Sequence, residues 1–373
     1  MKIVYTLPST AKVGGLERIV LAKANWLANN GYEIIIVTIN QNGQPPIYAI
    51  DSRIKCIDLG LNFLWDSKNI LRKALSRPKM TREYKKRLQE ILLQEQPDIT
   101  IMTGNDVGYD IKDGSKKISE FHNARGYLFV GRNKSIIKYI INLNLMWRKK
   151  YHSKKFDAFV CLTQEDKEDW GKDMKNIHVI PNFIKHDYPL SSLQNKQAIA
   201  VGRLVQIKRF DLLISAWEYV YKVYPEWTLK IFGEGPLKAE LQRIIVEKGL
   251  QDVVSLCGNT NEIMRKYAES SVIVSTSASE GFHMGLLEAM TCGVPAVSFD
   301  CKCGPKELVC NGENGFLVQH GSVKELAERI MQIIGDEELR KNMGRSAYKT
   351  SWRYDETVVM QKWENLFNEV CER

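Results

Sequence analysis

No stretch of the 373 residues approaches the roughly 18 consecutive apolar positions of a membrane-spanning helix. The opening MKIVYTLPS also has neither a basic start nor a long apolar run. A spanning segment and a secretory leader are therefore not expected, and the expected location is cytoplasmic. There is no CxxC pair among the eight cysteines, Cys56, Cys161, Cys257, Cys292, Cys301, Cys303, Cys310 and Cys371. Cys292, Cys301, Cys303 and Cys310 contain a single C-x-C, short of the paired knuckles that usually close a zinc site, so reduced thiols and no metal are expected. The G-x-G-x-x-G and G-x-x-x-x-G-K-[ST] phosphate loops are missing too, which disfavours a plain nicotinamide or P-loop enzyme.

What is present suits a large folded chain. Hydrophobic residues make up 44% and charged residues 26%, enough apolar surface to offset ordering entropy. The length is two to three times that of a typical domain, so two cores are expected. Short apolar runs alternate with helical patterns: KIVYTL (2–7), EIIIVTI (33–39), DITIMTG (98–104), KKISEFH (116–122), AFVCLT (158–163) and HVIPN (178–182). Between the first two, ERIVLAKANWLANNG places Ile19, Leu21, Ala22, Trp26 and Leu27 near one helical face, with Gly31 as the stop. Repeated strand–helix–strand units predict a parallel sheet covered by helices on both sides.

The pattern restarts after the polar stretch HDYPLSSLQNKQ, with strands expected at 197–203, 228–233, 253–258, 271–277, 295–299 and 315–318. The fold class is therefore α/β, with two doubly wound, Rossmann-like lobes facing a cleft at the carboxyl ends of their strands. The expected division is an amino-terminal lobe over 1–185, a linker over 186–196, a carboxyl-terminal lobe over 197–355 and a final helix over 356–373 whose docking the pattern leaves open.

Three segments carry chemistry. In SASEGFHMGLLEAMTCGVPAVSF, seven residues separate Glu280 from Glu288. A helix starting near Gly281 and Gly285 would turn the amides of Phe282, His283, Met284 and Gly285 toward an anion, with Glu288 about 7 Å further along the axis. A solvated helical glutamate would give the same pattern. In AVGRLVQIKRFDLL, a strand ends at Gly202 and releases Arg203 and Lys208, two cations able to converge on a diphosphate, although solvated surface charge is the ordinary alternative. In PSTAKVGGLERIVLAKA, Gly14 and Gly15 allow close backbone approach and positive φ.

Together with FGEGP (232–236) and NGENGFLV (311–318), these segments resemble the family-4 glycosyltransferases, retaining enzymes of the two-lobed GT-B fold. The resemblance covers nearly the whole chain and is strongest over about 197–320. It implies that Arg203 and Lys208 neutralise a donor diphosphate, that Glu288 meets the ribose hydroxyls and that Glu280 lies beside the transferred sugar. It also implies that the amides of 282–285 contact sugar and phosphate, and that the Gly14–Gly15 loop closes over the donor. His122 is the expected cleft histidine facing the sugar, with a buried core histidine as the alternative. Gly258 and Asn259 resemble the strand end that contacts the base. The nucleotide sugar is a co-substrate, and no further cofactor is implied. FDCKCGPKELVCNGENGF looks like the DC-x-x-GP-x-E variant of the branch that elongates bacterial surface polysaccharides, which implies a UDP-linked hexose or N-acetylhexosamine. In that motif Gly304 would permit the turn and Glu307 would begin a helix facing the cleft.

Charge is uneven. The formal net charge is +9, and the basic runs KALSRPKMTREYKKR (73–87) and RNKSIIKYIINLNLMWRKKYHSKK (132–155) lie in the first half. The second pairs an apolar centre with basic flanks, as a helix lying on anionic lipid does, and a lipid-linked acceptor with peripheral attachment at the inner membrane face would account for it. A helix packed on the lobe with snorkelling ends is the alternative. No aromatic-basic interleaving suggests nucleic acid. The expected activity is transfer of a sugar from a nucleotide sugar to a lipid-linked or surface glycan. A nucleotide-sugar epimerase of the same fold and a non-catalytic glycan-binding scaffold are the alternatives. A glycogen-type phosphorylase would need a lysine-bound pyridoxal phosphate and a much longer chain.

Overall fold

The run KIVYTL forms strand β1 (Lys2–Leu7), buried from Ile3 onward on both faces, as the interior strand of a doubly covered sheet must be. The computed structural model describes residues 1–11, 14–63, 70–104, 107–127 and 136–373, and the side chains of residues 70–75, 137 and 138 are outside the description. Lys12 and Val13 of the glycine loop, and residues 132–135 of the second basic run, therefore lie outside the described residues.

β1 is joined by β2 (Glu33–Thr38), β3 (Lys55–Asp58), β4 (Ile99–Thr103), β5 (Lys116–Glu120), β6 (Ala158–Cys161) and β7 (Ile177–Val179). They form a seven-stranded parallel sheet in the order β3-β2-β1-β4-β5-β6-β7, with Val4 opposite Ile35 on one side and Thr100 on the other. Its helices are α1 (Gly15–Asn29), α2 (Ile70–Glu95), α3 (Ile136–Ser153) and α4 (Gln164–Trp170).

The second sheet contains β8 (Gln197–Val201), β9 (Thr228–Phe232), β10 (Val254–Gly258), β11 (Val272–Ser275), β12 (Ala296–Asp300) and β13 (Gly315–Gln319), ordered β10-β9-β8-β11-β12-β13. Around it lie α5 (Phe210–Val223), α6 (Lys238–Glu247), α7 (Ile263–Ala268), α8 (Met284–Thr291), α9 (Pro305–Leu308), α10 (Val323–Gly335) and α11 (Glu337–Ser351). The strand order reverses beside β1 in one lobe and beside β8 in the other, which opens a crevice at the carboxyl end of each.

All twelve expected strands are present, most of them trimmed by a residue or two. β3 is additional: it is an edge strand whose KCID sequence is largely exposed and carries no apolar run. The final helix, α12 (Glu356–Glu372), docks on the amino-terminal lobe, where Val359, Met360, Trp363, Leu366, Phe367 and Val370 join the core built by β1, β4 and α1. The linker is fastened rather than loose. Ser191 Oγ donates to the Ser270 carbonyl at 2.7 Å, Arg340 Nε donates to the Leu193 carbonyl at 3.0 Å, and Leu193 is buried. His186 stacks on Trp352 with ring centroids 4.0 Å apart, and Ile184 bridges Asp355, so the two chain crossings between the lobes run side by side.

Candidate active site

Three loops at the carboxyl ends of β8, β11 and β5 meet between the lobes. After β8, a short turn over Gln206–Lys208 ends in Arg209, whose left-handed backbone (φ 50°) starts α5. The Lys208 stem folds back over Gly202, where a Cβ would stand 3.1 Å from Lys208 Cε. Its Nζ then donates to Glu280 Oε1 at 2.6 Å. Two more ties bind these loops: Thr276 Oγ1 donates to the Lys208 carbonyl at 2.9 Å, and the Ala278 N–H donates to the Ile207 carbonyl at 2.8 Å. Burial works to raise the Glu280 pKa, but the adjacent Lys208 ammonium, together with the hydrogen bonds from Lys208 and Ser277 and the neighbouring His283, outweighs it and holds the carboxyl at about 2, so Glu280 is ionised. Arg203 leaves the same strand end exposed and, among the described residues, has no carboxylate partner. One cation is thus engaged and the other is exposed.

α8 starts at His283. Its Nδ1 accepts from the Leu286 N–H at 3.2 Å, and its Nε2 lies 2.6 Å from Ser275 Oγ. Burial pushes the imidazole down to about 4, so it is neutral at ordinary pH; with Nδ1 accepting, the Nε2–H must donate to Ser275. Of the four amides expected to face a ligand, that of Met284 donates to the Phe282 carbonyl at 2.9 Å and is not available. The N–H groups of Phe282, His283 and Gly285 have no hydrogen-bond acceptor among the described residues. The Phe282 ring is buried against Tyr354 with centroids 5.5 Å apart.

Glu288 is buried with both carboxylate oxygens engaged. Arg18, from the first turn of α1 in the opposite lobe, forms an ion pair with Oε1, and Tyr267 Oη donates to Oε2 at 3.0 Å. A glutamate expected to be open to ribose hydroxyls is instead held by a guanidinium across the cleft. Neither Gly14 nor Gly15 takes a positive φ: Gly14 is extended at φ −163° as the residue before α1, and the space beside Gly15 is open. Positive φ is thus not used at either glycine, whereas a Cβ at Gly14 would fall 2.1 Å from Glu17 Oε2, and the helix that follows carries Arg18 to the cleft.

His122 follows β5, and its Nε2 lies 2.8 Å from Glu120 Oε1. Glu120 also pairs with Lys23, both side chains being 1% exposed, and the Lys23 ammonium stands 4.0 Å from the Trp363 ring centroid of α12. The His122 carbonyl faces Gly281, where a Cβ would fall 2.1 Å from it, so only glycine lets the two loops touch. Gly258, with φ 72°, turns the chain at the end of edge strand β10, and Asn259 beyond it is exposed. These two lie at the sheet edge, two strands from β8. Gly304 takes φ 130°, as a turn glycine would, but the Glu307 carboxylate is engaged by the opposite lobe, accepting from the Gln164 N–H at 2.6 Å. The structure brings Arg203, Lys208, Glu280, His283 and the loop of His122 together. It adds Arg18, Tyr267, Glu120 and Lys23, which sequence patterns missed; only the place of Arg18, one turn beyond the paired glycines, gave a signal.

A carboxylate paired with lysine, an exposed arginine with no carboxylate partner among the described residues, and three N–H groups without an acceptor there suit an anionic ligand bearing hydroxyls. Residues 13–188 match the family described as Glycosyltransferase Family 4, and residues 185–350 match the glycosyl transferases group 1. The chain is 25% identical to the amylovoran biosynthesis glycosyltransferase AmsD of Erwinia amylovora, covering 98% of this chain and 99% of that protein. It is 27% identical to an exopolysaccharide phosphotransferase of Streptomyces coelicolor over its entire length but spans only 41% of that relative. In three dimensions it resembles a variant of S. aureus TarM in complex with fondaparinux, α-GlcNAc-glycerol and UDP, with TM-score 0.80 and 18% identity over 98% of this chain and 99% of that one.

Proposed function

The chain belongs to glycosyltransferase family 4, and from that premise we propose that it transfers a hexose or N-acetylhexosamine from UDP to a surface or lipid-linked glycan, with retention and without a metal. The observation that carries the proposal is the junction of Lys208 with Glu280, made from the loop after β8 that also carries the exposed Arg203. The UDP in the TarM complex and the polysaccharide role in the name of AmsD support the donor and acceptor classes.

In this mechanism the bond from the anomeric carbon to the diphosphate oxygen breaks, and the charge left on phosphate is met by Arg203, Lys208 and the N–H groups of His283 and Gly285. These groups supply the positive charge that a divalent ion provides elsewhere, so none is required. The acceptor oxygen bonds to the same face of the sugar, and its proton passes to the departing phosphate. Glu280, paired and ionised, positions Lys208 and the sugar hydroxyls rather than attacking carbon. Glu288 receives the ribose once Arg18 withdraws, and the end of β10 at Gly258 and Asn259 receives the base. His122, oriented by Glu120, faces the sugar.

The test is a screen of UDP-sugars and GDP-sugars with a glycan acceptor, in the presence and absence of a chelator, with the anomeric configuration of the product read by NMR. The expected result is a UDP-dependent product of unchanged configuration made at the same rate with chelator. Arg203→Ala and Lys208→Ala should each weaken the transition state by about 2–4 kcal/mol, more than Glu288→Gln. An inverted product, a rate lost to chelator, or equal small losses in all three variants would overturn the corresponding part.

A further inference from the structure

Helix α3 carries an apolar surface that the site does not use. Ile136, Tyr139, Ile140, Leu143 and Trp147 recur at the spacing of one helical stripe, and they are 76%, 56%, 58%, 46% and 65% exposed. The helix is anchored by a different face, through the buried Asn142, Met146 and Ser153. An apolar centre packed on the lobe, with only its ends in water, is thus not what the structure contains.

The stretch of sequence that carries this helix is strongly basic. Residues 121–156 hold nine Lys and Arg and no Asp or Glu. Removing those nine from the chain's 53 basic residues leaves 44, equal to its 44 acidic ones, so the whole net charge of +9 resides in this segment. Arg148, Lys149 and Lys150 on α3 follow the stripe, and Lys154 and Lys155 lie just beyond its end, with Lys150 and Lys154 both held by Asp173 at 2.6 Å.

We infer that α3 docks on an anionic phospholipid surface, with its isoleucine and tryptophan stripe in the headgroup layer and its basic residues over lipid phosphates. Lipid satisfies both features of the segment. A second copy of the chain would oppose like charges, and a polyanion without an apolar layer would leave the stripe in water. Leu143 and Trp147 also line a hollow shared with Arg125 and with Lys302 of the other lobe. Docking by α3 therefore turns this hollow, beside the gap between the lobes, toward the bilayer. That last step rests on the proposed acceptor class, whereas the docking does not.

The experiment is flotation of the purified full chain with vesicles of phosphatidylcholine alone and with phosphatidylglycerol added. Binding is expected with the anionic vesicles only, falling steeply between 50 mM and 500 mM salt. Ile140→Asp and Trp147→Asp should each lower the bound fraction at least tenfold at unchanged Tm. In the unsubstituted chain, hydrogen exchange over 139–147 should slow on anionic vesicles, a readout that needs no variant. Equal binding to both vesicle types, no exchange protection in α3, or a solution dimer that Ile140→Asp dissociates would overturn the inference. Sugar transfer to a soluble acceptor is measured alongside, so that loss of docking and failure of the transferase assignment are seen separately.

Discussion

At the scale of single residues, the ion pair of Lys208 and Glu280 sets a pH-dependent stability. The Glu280 pKa is about 2 in the folded chain, below its ordinary 4.5. Its contribution is therefore complete above pH 4.5 and is lost as pH falls from there toward 2. Lys208→Ala leaves a largely buried carboxylate without its cation and should destabilise the lobe by about 1–3 kcal/mol at pH 7. Because Glu280 then protonates more readily, the gap to the unsubstituted chain should narrow as pH drops below 4.5. Denaturant unfolding at pH 7 and pH 4 checks this, and a gap independent of pH would show that Lys208 acts by packing alone. The positions of Arg203, Lys208 and Glu280 were legible because each follows the end of an apolar strand. Arg18 was not: its place one turn beyond the paired glycines is the single local cue, and its partner Glu288 lies in the other half of the chain. Lys23 escaped for a related reason: it occupies the buried face of α1, where the helical pattern of Ile19, Leu21 and Leu27 leads one to expect only apolar neighbours, and its partner Glu120 sits almost a hundred residues away.

At the scale of elements, α12 is the clearest consequence of packing that periodicity cannot show. Its amphipathic pattern was visible, but the surface receiving it is assembled from strands and helices distant in sequence. Trp363 is 1% exposed in that core, and its ring also faces the Lys23 ammonium. Trp363→Ala should destabilise the amino-terminal lobe by about 3–5 kcal/mol through the cavity it leaves and the lost cation–π contact. Calorimetry should show a transition moved to lower temperature, with the transition of the other lobe held in place; a uniform shift of both would argue that the lobes unfold as one. β3 was missed for the opposite reason: an edge strand with one side in water needs no apolar run, so the residues of KCID carry little pattern. The remaining strands were legible because burial on both faces demands unbroken apolar residues.

At the scale of the molecule, the lobes touch through polar contacts and through the buried cluster in which Leu162 joins residues of the carboxyl-terminal lobe. Besides Arg18 with Glu288, Lys302 pairs with Asp169 at 2.8 Å, and the Cys303 N–H donates to Glu165 at 2.8 Å. Such contacts are individually weak where exposed, so the gap between the lobes should open readily. Arg18→Ala removes the most buried of these carboxylate contacts, and small-angle scattering of the ligand-free variant should give a larger radius of gyration than the unsubstituted chain. An unchanged radius would mean that closure is held elsewhere. Two lobes and their facing strand ends were legible from the repeated pattern, whereas the closed arrangement was not, since it depends on side chains meeting across the whole length of the chain. The docking of α12 reaches further, into biosynthesis. The lobe that leaves the ribosome first lacks one wall of its core until the entire second lobe has been translated. Nascent chains paused before residue 356 should therefore present the sheet surface around Trp363's future seat to chaperones, and completion of this lobe's core should wait for α12.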